Sequence, residues 1–210
     1  HSGSWSGPIP DPAQALCKMI SSLTDDKGRI LIPHYEDTVV PPTEEDIASY
    51  KSLGMTEKIF RNDGGVLDGV KLYVPEDEIL ISLWRRPSIT VTAFESGSRT
   101  NAGNVLQDSA YARIGIRLAP GMDADIATSQ LIEFLKSKVP AGLQCVFQPE
   151  DGANPFTTDT SHPFFQKLNN AMTEAYGSPT KIIGCGASIP GAELVRNTSG
   201  DIPVLMTGVE

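Results

Sequence analysis

Apolar residues recur at Leu16, Met19, Ile20 and Leu23, the i, i+3, i+4, i+7 spacing of a helix with one buried face. Asp11 and Pro12 precede this stripe as an N-cap and a first-turn proline. The helix is expected to stop in "TDDKGRI", where Gly28 allows a left-handed turn, and "ILIP" follows as a short extended piece. From about His34 to Glu78 the pattern weakens into acidic, Pro- and Gly-rich sequence. This reads as an insertion folded over the surface, with one short helix near Glu44 to Leu53.

From Ile79 onward the period changes to that of strands. In "SITVTAF", Ile89, Val91 and Ala93 alternate with Thr90, Thr92 and Phe94. In "AYARIGIRLAP", Ala110, Ala112, Ile114, Ile116 and Leu118 alternate with Tyr111, Arg113, Gly115 and Arg117. A helix then follows an Asp123 cap and buries Leu131, Phe134, Leu135 and Val139, and "LQCVFQ" reads as a third strand. Helix, two strands, helix, strand predicts an α+β fold: an antiparallel β-sheet with two helices on one face. By the order of its elements this sheet is short of one strand at its front.

After Pro149 the composition shifts. Ser161 is placed to cap a helix with Phe164, Leu168, Ala171, Met172 and Ala175 on one stripe, and Gly177 is placed to stop it. "TKIIGCGASIPGAELVRN" is a glycine-broken turn leading into another helix, and "IPVLMTGVE" is an apolar strand. The expected division is residues 1–149, carrying the insertion at about 34–78, and residues 150–210.

With 40% hydrophobic residues, the chain of 210 can bury a core. A formal charge of -9 with Lys and Arg scattered singly offers no basic stripe for phosphates, so nucleic acid is not an expected partner. No apolar run approaches the roughly 20 residues of a membrane span, and no signal-peptide pattern is present. A soluble, cytoplasmic protein is expected. Cys17, Cys145 and Cys185 lack any C-x-x-C spacing and are expected to be reduced and mostly buried.

Candidate chemistry is sparse. "GCGAS" lacks the third glycine of a dinucleotide loop and the Lys-Ser/Thr pair of a phosphate loop, and Ser188 stands in G-A-S-I-P rather than G-x-S-x-G. Two readings remain: converging backbone N–H groups at a helix start, with Ser188 as cap, seating a carboxylate; or an ordinary strand-to-helix turn. His1, His34 and His162 are too few and too dispersed for a metal cage. Arg99 and Arg113 read as surface arginines. Arg117 differs, because the alternation carries it to a strand end, from which a rigid element can present a guanidinium to a ligand.

In sequence, "HSGSWSGPIPDPAQAL", "GRILIP", "LWRRPSITVTAF", "IGIRLAPGMDAD", "TSHPFFQKLNNAMTEAYG" and "GCGASIPGAE" together resemble the dinuclear-metal peptidase family. That family contains the cytosolic dipeptidases, carnosinases, carboxypeptidase G, aminoacylase and succinyl-diaminopimelate desuccinylase, and the match is to the dipeptidase and carnosinase branch. The resemblance implies a lid or dimerisation domain over residues 1–149 and a fragment of an α/β catalytic domain over 150–210. It implies a metallopeptidase using two divalent ions, zinc or manganese, on dipeptides or short peptides with a free C-terminal carboxylate. A water activated between the ions, with a glutamate as its base, attacks the peptide carbonyl in that family.

The resemblance also assigns residues. His1 matches the lid histidine that reaches across a homodimer to steady the oxyanion. Asn104, Arg117 and Ser188 match substrate-binding positions, the last two at the C-terminal carboxylate. "NVL" departs from the wider family's N-V-I-P, and Ala187 departs from the commoner G-G-S. The family's metal-ligand segments are missing, so no metal is expected to be held by this chain and the chain by itself is expected to be inactive. An acyl-amino-acid deacylase or desuccinylase of the same family, and a non-catalytic dimerisation module, are the alternatives.

Overall fold

The structure is a computed structural model that describes residues 3–100, 102–186, 190–199 and 203–207. It divides into two units. One comprises the residues up to Thr38 with Pro87–Arg117 and Ala124–Gly152, and the other comprises Val39–Arg86, Leu118–Asp123 and the residues from Ala153 onward.

In the first unit, helix α1 (Pro12–Ser21) starts where the sequence predicts. Asp11 is extended, and its carboxylate accepts from the N–H groups of Ala13 and Gln14. Such a cap stabilises a helix by about 1 kcal/mol. Met19 and Leu23 are buried, at 5% and 1% exposure, with Ala15 beside them. Gly28 is left-handed at φ +73°, and the turn it makes is held by Asp25, which accepts from the N–H groups of Lys27 and Arg29 at 2.8 and 2.9 Å. Helix α5 (Ala124–Lys136) begins directly after Asp123 and buries Ala124, Ala127, Leu131 and Leu135. Ile32 and Tyr35 complete this core.

Strands β1 (Ser88–Glu95) and β2 (Tyr111–Arg117) form an antiparallel two-stranded sheet, and α1 packs on β2. The register runs from Ser88 opposite Arg117 to Glu95 opposite Tyr111, with an irregularity between Val91 and Ala93. The expected alternation holds in exposure except at Val91: Ile89 and Ala93 are half-buried, while Thr90, Thr92 and Phe94 are exposed. Ile89 and Val91 oppose Ile116 and Ile114, and the bulge then sets Ala93 opposite Arg113 and Phe94 opposite Ala112. In β2 the expected pattern holds: Ala112, Ile114 and Ile116 are half-buried, while Tyr111, Arg113 and Arg117 are exposed.

The third strand expected at "LQCVFQ" does not form. Residues 143–148 join no ladder, and Val146 is 82% exposed. A strand exists only through hydrogen bonds to a neighbour, and none of the described residues supplies one. The Arg113 guanidinium nevertheless ties β2 to the end of this stretch through Glu150 at 2.6 Å. All three cysteines are free, yet all are exposed rather than buried, because Cys17 falls on the outer face of α1 and the other two lie on unladdered chain.

In the second unit the insertion contains more helix than its sequence suggests. Helix α2 (Glu44–Ser52) opens with a capping box in which Thr43 Oγ1 accepts from Asp46 N–H and Asp46 Oδ2 from Thr43 N–H. Helix α3 (Glu57–Gly64) runs from a Thr56 cap to Gly65, left-handed at φ +61°. Helix α4 (Ile79–Arg85) replaces the strand character expected from Ile79, and it buries Ile79 and Leu80. In an apolar run of this length the period does not separate helix from strand.

Helix α6 (Pro163–Tyr176) ends as expected at Gly177, with φ +67°. Its cap is His162, whose Nδ1 accepts from Phe164 N–H, whereas the expected cap, Ser161, is turned to Asp159. Its covered face is rotated from the expected stripe: Phe165 is buried and Leu168 and Met172 half-buried, while Phe164, Ala171 and Ala175 are exposed. Helix α7 (Pro190–Ser199) follows the glycine-rich turn. Residues 203–207 of "IPVLMTGVE" form no strand, and the rest of that segment except Pro203 to Thr207 lies outside the described residues.

Candidate functional site

Of the four expected site residues, Asn104 and Arg117 are described, and both belong to the first unit. His1 and Ser188 lie outside the described residues.

Asn104 sits in the long loop between β1 and β2. The loop is drawn in at its base, where Ser96 Oγ donates to the Ser109 carbonyl at 3.5 Å, and Gly97 turns with φ +67° beneath Gln107. The chain start lies against this loop. Gly3 N–H donates to the Asn104 carbonyl at 2.8 Å, and a methyl group on Gly3 would fall 2.8 Å from Asn104 Cγ. Gly3 is not among the left-handed glycines, so its small size serves this close approach. Ser6 closes the short turn over Gly3–Trp5, its hydroxyl donating to the Gly3 carbonyl at 2.6 Å. The structure thus joins Gly3 to the loop that carries Asn104.

Arg117 is the last residue of β2, opposite Ser88 at the start of β1, and its side chain is exposed. The sequence expectation of an arginine on the polar face at a strand end is met. Arg113, four residues earlier on that face, is paired with Glu150.

A cavity of about 340 Å³ opens in the same unit between α1, the approach to β2 and residues 139–145. Leu16, Met19 and Leu143 line it together with Asp108, Gln144 and Cys145, and partial desolvation there raises the Cys145 thiol pKa. Neither Asn104 nor Arg117 borders it. Among the described residues the carboxylates with lowered pKa are turn-formers: Asp25, through its hydrogen bonds from Arg29, and Asp159, through those from Ser161.

In the second unit the residues leading to Ser188 have close neighbours. A methyl group on Gly184 would lie 2.5 to 2.9 Å from the indole of Trp84, and one on Gly186 would lie 2.8 Å from the Leu83 carbonyl oxygen. Both glycines lack the left-handed φ that would demand glycine for conformational reasons. The sequence pattern singled out this turn but missed Trp84, because the contact joins residues a hundred positions apart and leaves no local signal.

Among the described residues no group of three or more His, Cys, Asp or Glu side chains could hold a metal ion. No helix among them is long and apolar enough to cross a membrane.

Residues 1–142 match the family model described as the peptidase dimerisation domain. The chain is 31% identical over its whole length to the cysteinylglycine-S-conjugate dipeptidase of Corynebacterium striatum, covering 44% of that protein. It is 28% identical to the Cys-Gly metallodipeptidase DUG1 of Saccharomyces cerevisiae, over 90% of this chain and 40% of that one. Human carnosine dipeptidase 1, in its crystal structure, superposes with a TM-score of 0.79 at 27% identity, over 94% of this chain and 42% of that one. The chain therefore spans less than half the length of these relatives.

Proposed function

The chain belongs to the peptidase dimerisation domain family, and from that premise we propose that it is part of a metal-dependent dipeptidase. On this reading residues 1–149 are the lid through which two copies associate, and residues 150–210 belong to the catalytic domain. The substrates are dipeptides or short peptides with a free C-terminal carboxylate, hydrolysed in the cytoplasm. The single observation that carries the reading is the family match over residues 1–142, joined to relatives named as dipeptidases across nearly the whole chain.

Each site residue has a task suited to its chemistry. The imidazole of His1 reaches the partner subunit's site and donates a hydrogen bond to the oxygen that gains negative charge as the peptide carbonyl becomes tetrahedral. The Asn104 amide contacts the substrate from the lid. The Arg117 guanidinium grips the C-terminal carboxylate through two parallel hydrogen bonds, and Ser188 with its glycine-rich turn holds the same end. Supporting this, Arg117 is exposed at a strand end and the loop of Asn104 is hydrogen-bonded to Gly3. Two divalent ions, zinc or manganese, belong to the reading, with ligands in sequence beyond these residues.

The test is direct. The protein with its full complement of metal ligands should hydrolyse unblocked dipeptides, lose activity on chelation, recover it with zinc or manganese, and sediment as a homodimer. Full activity after exhaustive chelation, or hydrolysis confined to acylated amino acids, contradicts the reading.

A further inference from the structure

The turn that precedes Ser188 is shaped by a partner the reading above does not include. Gly184 rests so close to Trp84 that an added methyl group would sit 2.5 Å from indole Cδ2 and 2.6 Å from Cγ. Contacts under about 3 Å between carbon atoms lie far inside the roughly 3.5 to 4 Å optimum, so only glycine fits without displacement. Gly186 repeats the arrangement two residues on, where an added methyl group would meet the Leu83 carbonyl oxygen at 2.8 Å. Two glycines with ordinary φ thus lie flush on the last residues of α4.

The indole is itself held. Tyr50 of α2 meets it edge-on, with ring centres 5.0 Å apart and planes at 79°, a geometry that contributes about 0.5 to 1.5 kcal/mol beyond area burial. Burial raises the Tyr50 pKa, against the opposing charge of Arg85. Next to Trp84, Arg85 donates to the Pro41 carbonyl at 3.1 Å and stands 3.8 Å from Asp46. On the turn's own side, Lys181 Nζ donates to the Ser52 carbonyl at the end of α2 at 2.7 Å. The insertion helix α2 and the glycine-rich turn therefore bear on one aromatic ring from two directions.

We infer that Trp84 is a positioning residue for the substrate-carboxylate turn: its indole, braced by Tyr50, sets where the chain at Gly184 runs as it heads toward the Ser188 segment. This rests on the proposed role of Ser188 and its turn for its functional half only. The packing half stands on the geometry alone, and it gives the acidic insertion a task in substrate specificity, because α2 fixes the ring that fixes the turn.

The experiment uses the 210-residue chain with Trp5→Phe, which leaves Trp84 as the one tryptophan of two in the sequence. Gly184→Ala should shift Trp84 emission and speed amide exchange across residues 181–199 by about tenfold, while exchange in α1 and α5 stays unchanged. Adding Trp84→Leu, which removes the ring plane, should return exchange in that segment to within about twofold of the Trp84→Leu single variant, whereas Trp84→Phe should restore less. Unchanged emission and exchange in Gly184→Ala, or losses that simply add in the double variant, overturn the inference. In the enzyme with its metal ligands, Trp84→Leu should raise KM for a dipeptide about fivefold with kcat held within about twofold, and should leave KM for the C-terminally amidated dipeptide unchanged. If exchange behaves as expected while KM does not move, the packing relationship stands and the carboxylate role of the turn is overturned.

Discussion

The N–H of Gly3 donates to the carbonyl of Asn104 at 2.8 Å, with no room for a side chain between the two residues. This fastens Gly3 to the β1–β2 loop at Asn104, one of the lid's proposed contacts to substrate. Gly3→Ala keeps the donor but inserts a methyl group 2.8 Å from Asn104 Cγ. The atoms nearest that methyl group belong to the exposed Asn104 side chain, which can swing aside, so the expected cost is at most about 1 kcal/mol, with faster amide exchange in the loop. Denaturant unfolding and exchange across residues 96–110 measure both. An unchanged midpoint with an unmoved loop contradicts the relationship.

Tyr35 is 2% exposed, and its hydroxyl has no hydrogen-bond partner among the described residues. Burial alone pushes its pKa above the ordinary tyrosine value. An unpaired buried hydroxyl costs free energy, so Tyr35→Phe should leave stability unchanged or raise it by up to about 1 kcal/mol. A drop of about 1 kcal/mol or more in the unfolding free energy means that the hydroxyl is paired after all.

At the turn after α1, Asp25 accepts from the Arg29 N–H, from Arg29 Nε at 2.6 Å and from the Lys27 N–H, and these bonds lower its pKa from the ordinary 3.8. A depressed carboxylate stabilises the fold above its unfolded-state value, and that contribution is lost as pH falls through the lower, folded-state value. Asp25→Asn should therefore lower the melting temperature more at about pH 7 than at about pH 3. An equal loss at both values removes the carboxylate's charge from the account.

Local chemistry made much of this fold legible in the sequence. Asp11 with Pro12, and Gly177 after α6, mark boundaries that the structure keeps, because caps and left-handed turns depend on neighbouring residues alone. Arg117 was legible because the strict alternation of Ala112, Ile114 and Ile116 fixes the opposite face. What escaped depends on distant chain. A bulge after Val91 shifts the pairing so that Phe94 meets Ala112, "LQCVFQ" lacks a ladder partner, and Ile79–Arg85 took up a helix against α2. The Thr56 cap and the left-handed Gly65 that bound α3 lie within acidic sequence of weak periodicity. The seat of Gly184 on Trp84 could not be read at all, since glycine carries no pattern that names what it packs against.

The central claim is that this chain presents Arg117 to the C-terminal carboxylate of a peptide, and a double cycle tests it most directly. In the enzyme with its metal ligands, Arg117→Lys keeps the charge and loses the two-pronged geometry. It should raise KM for a dipeptide by a factor worth roughly 1.5 to 3 kcal/mol, with metal content unchanged. Amidating the substrate's C-terminal carboxylate should cost the unaltered enzyme nearly as much and the variant little more, because both changes remove one interaction. Losses that add across the cycle contradict the claim and return Arg117 to the role of a surface arginine at a strand end.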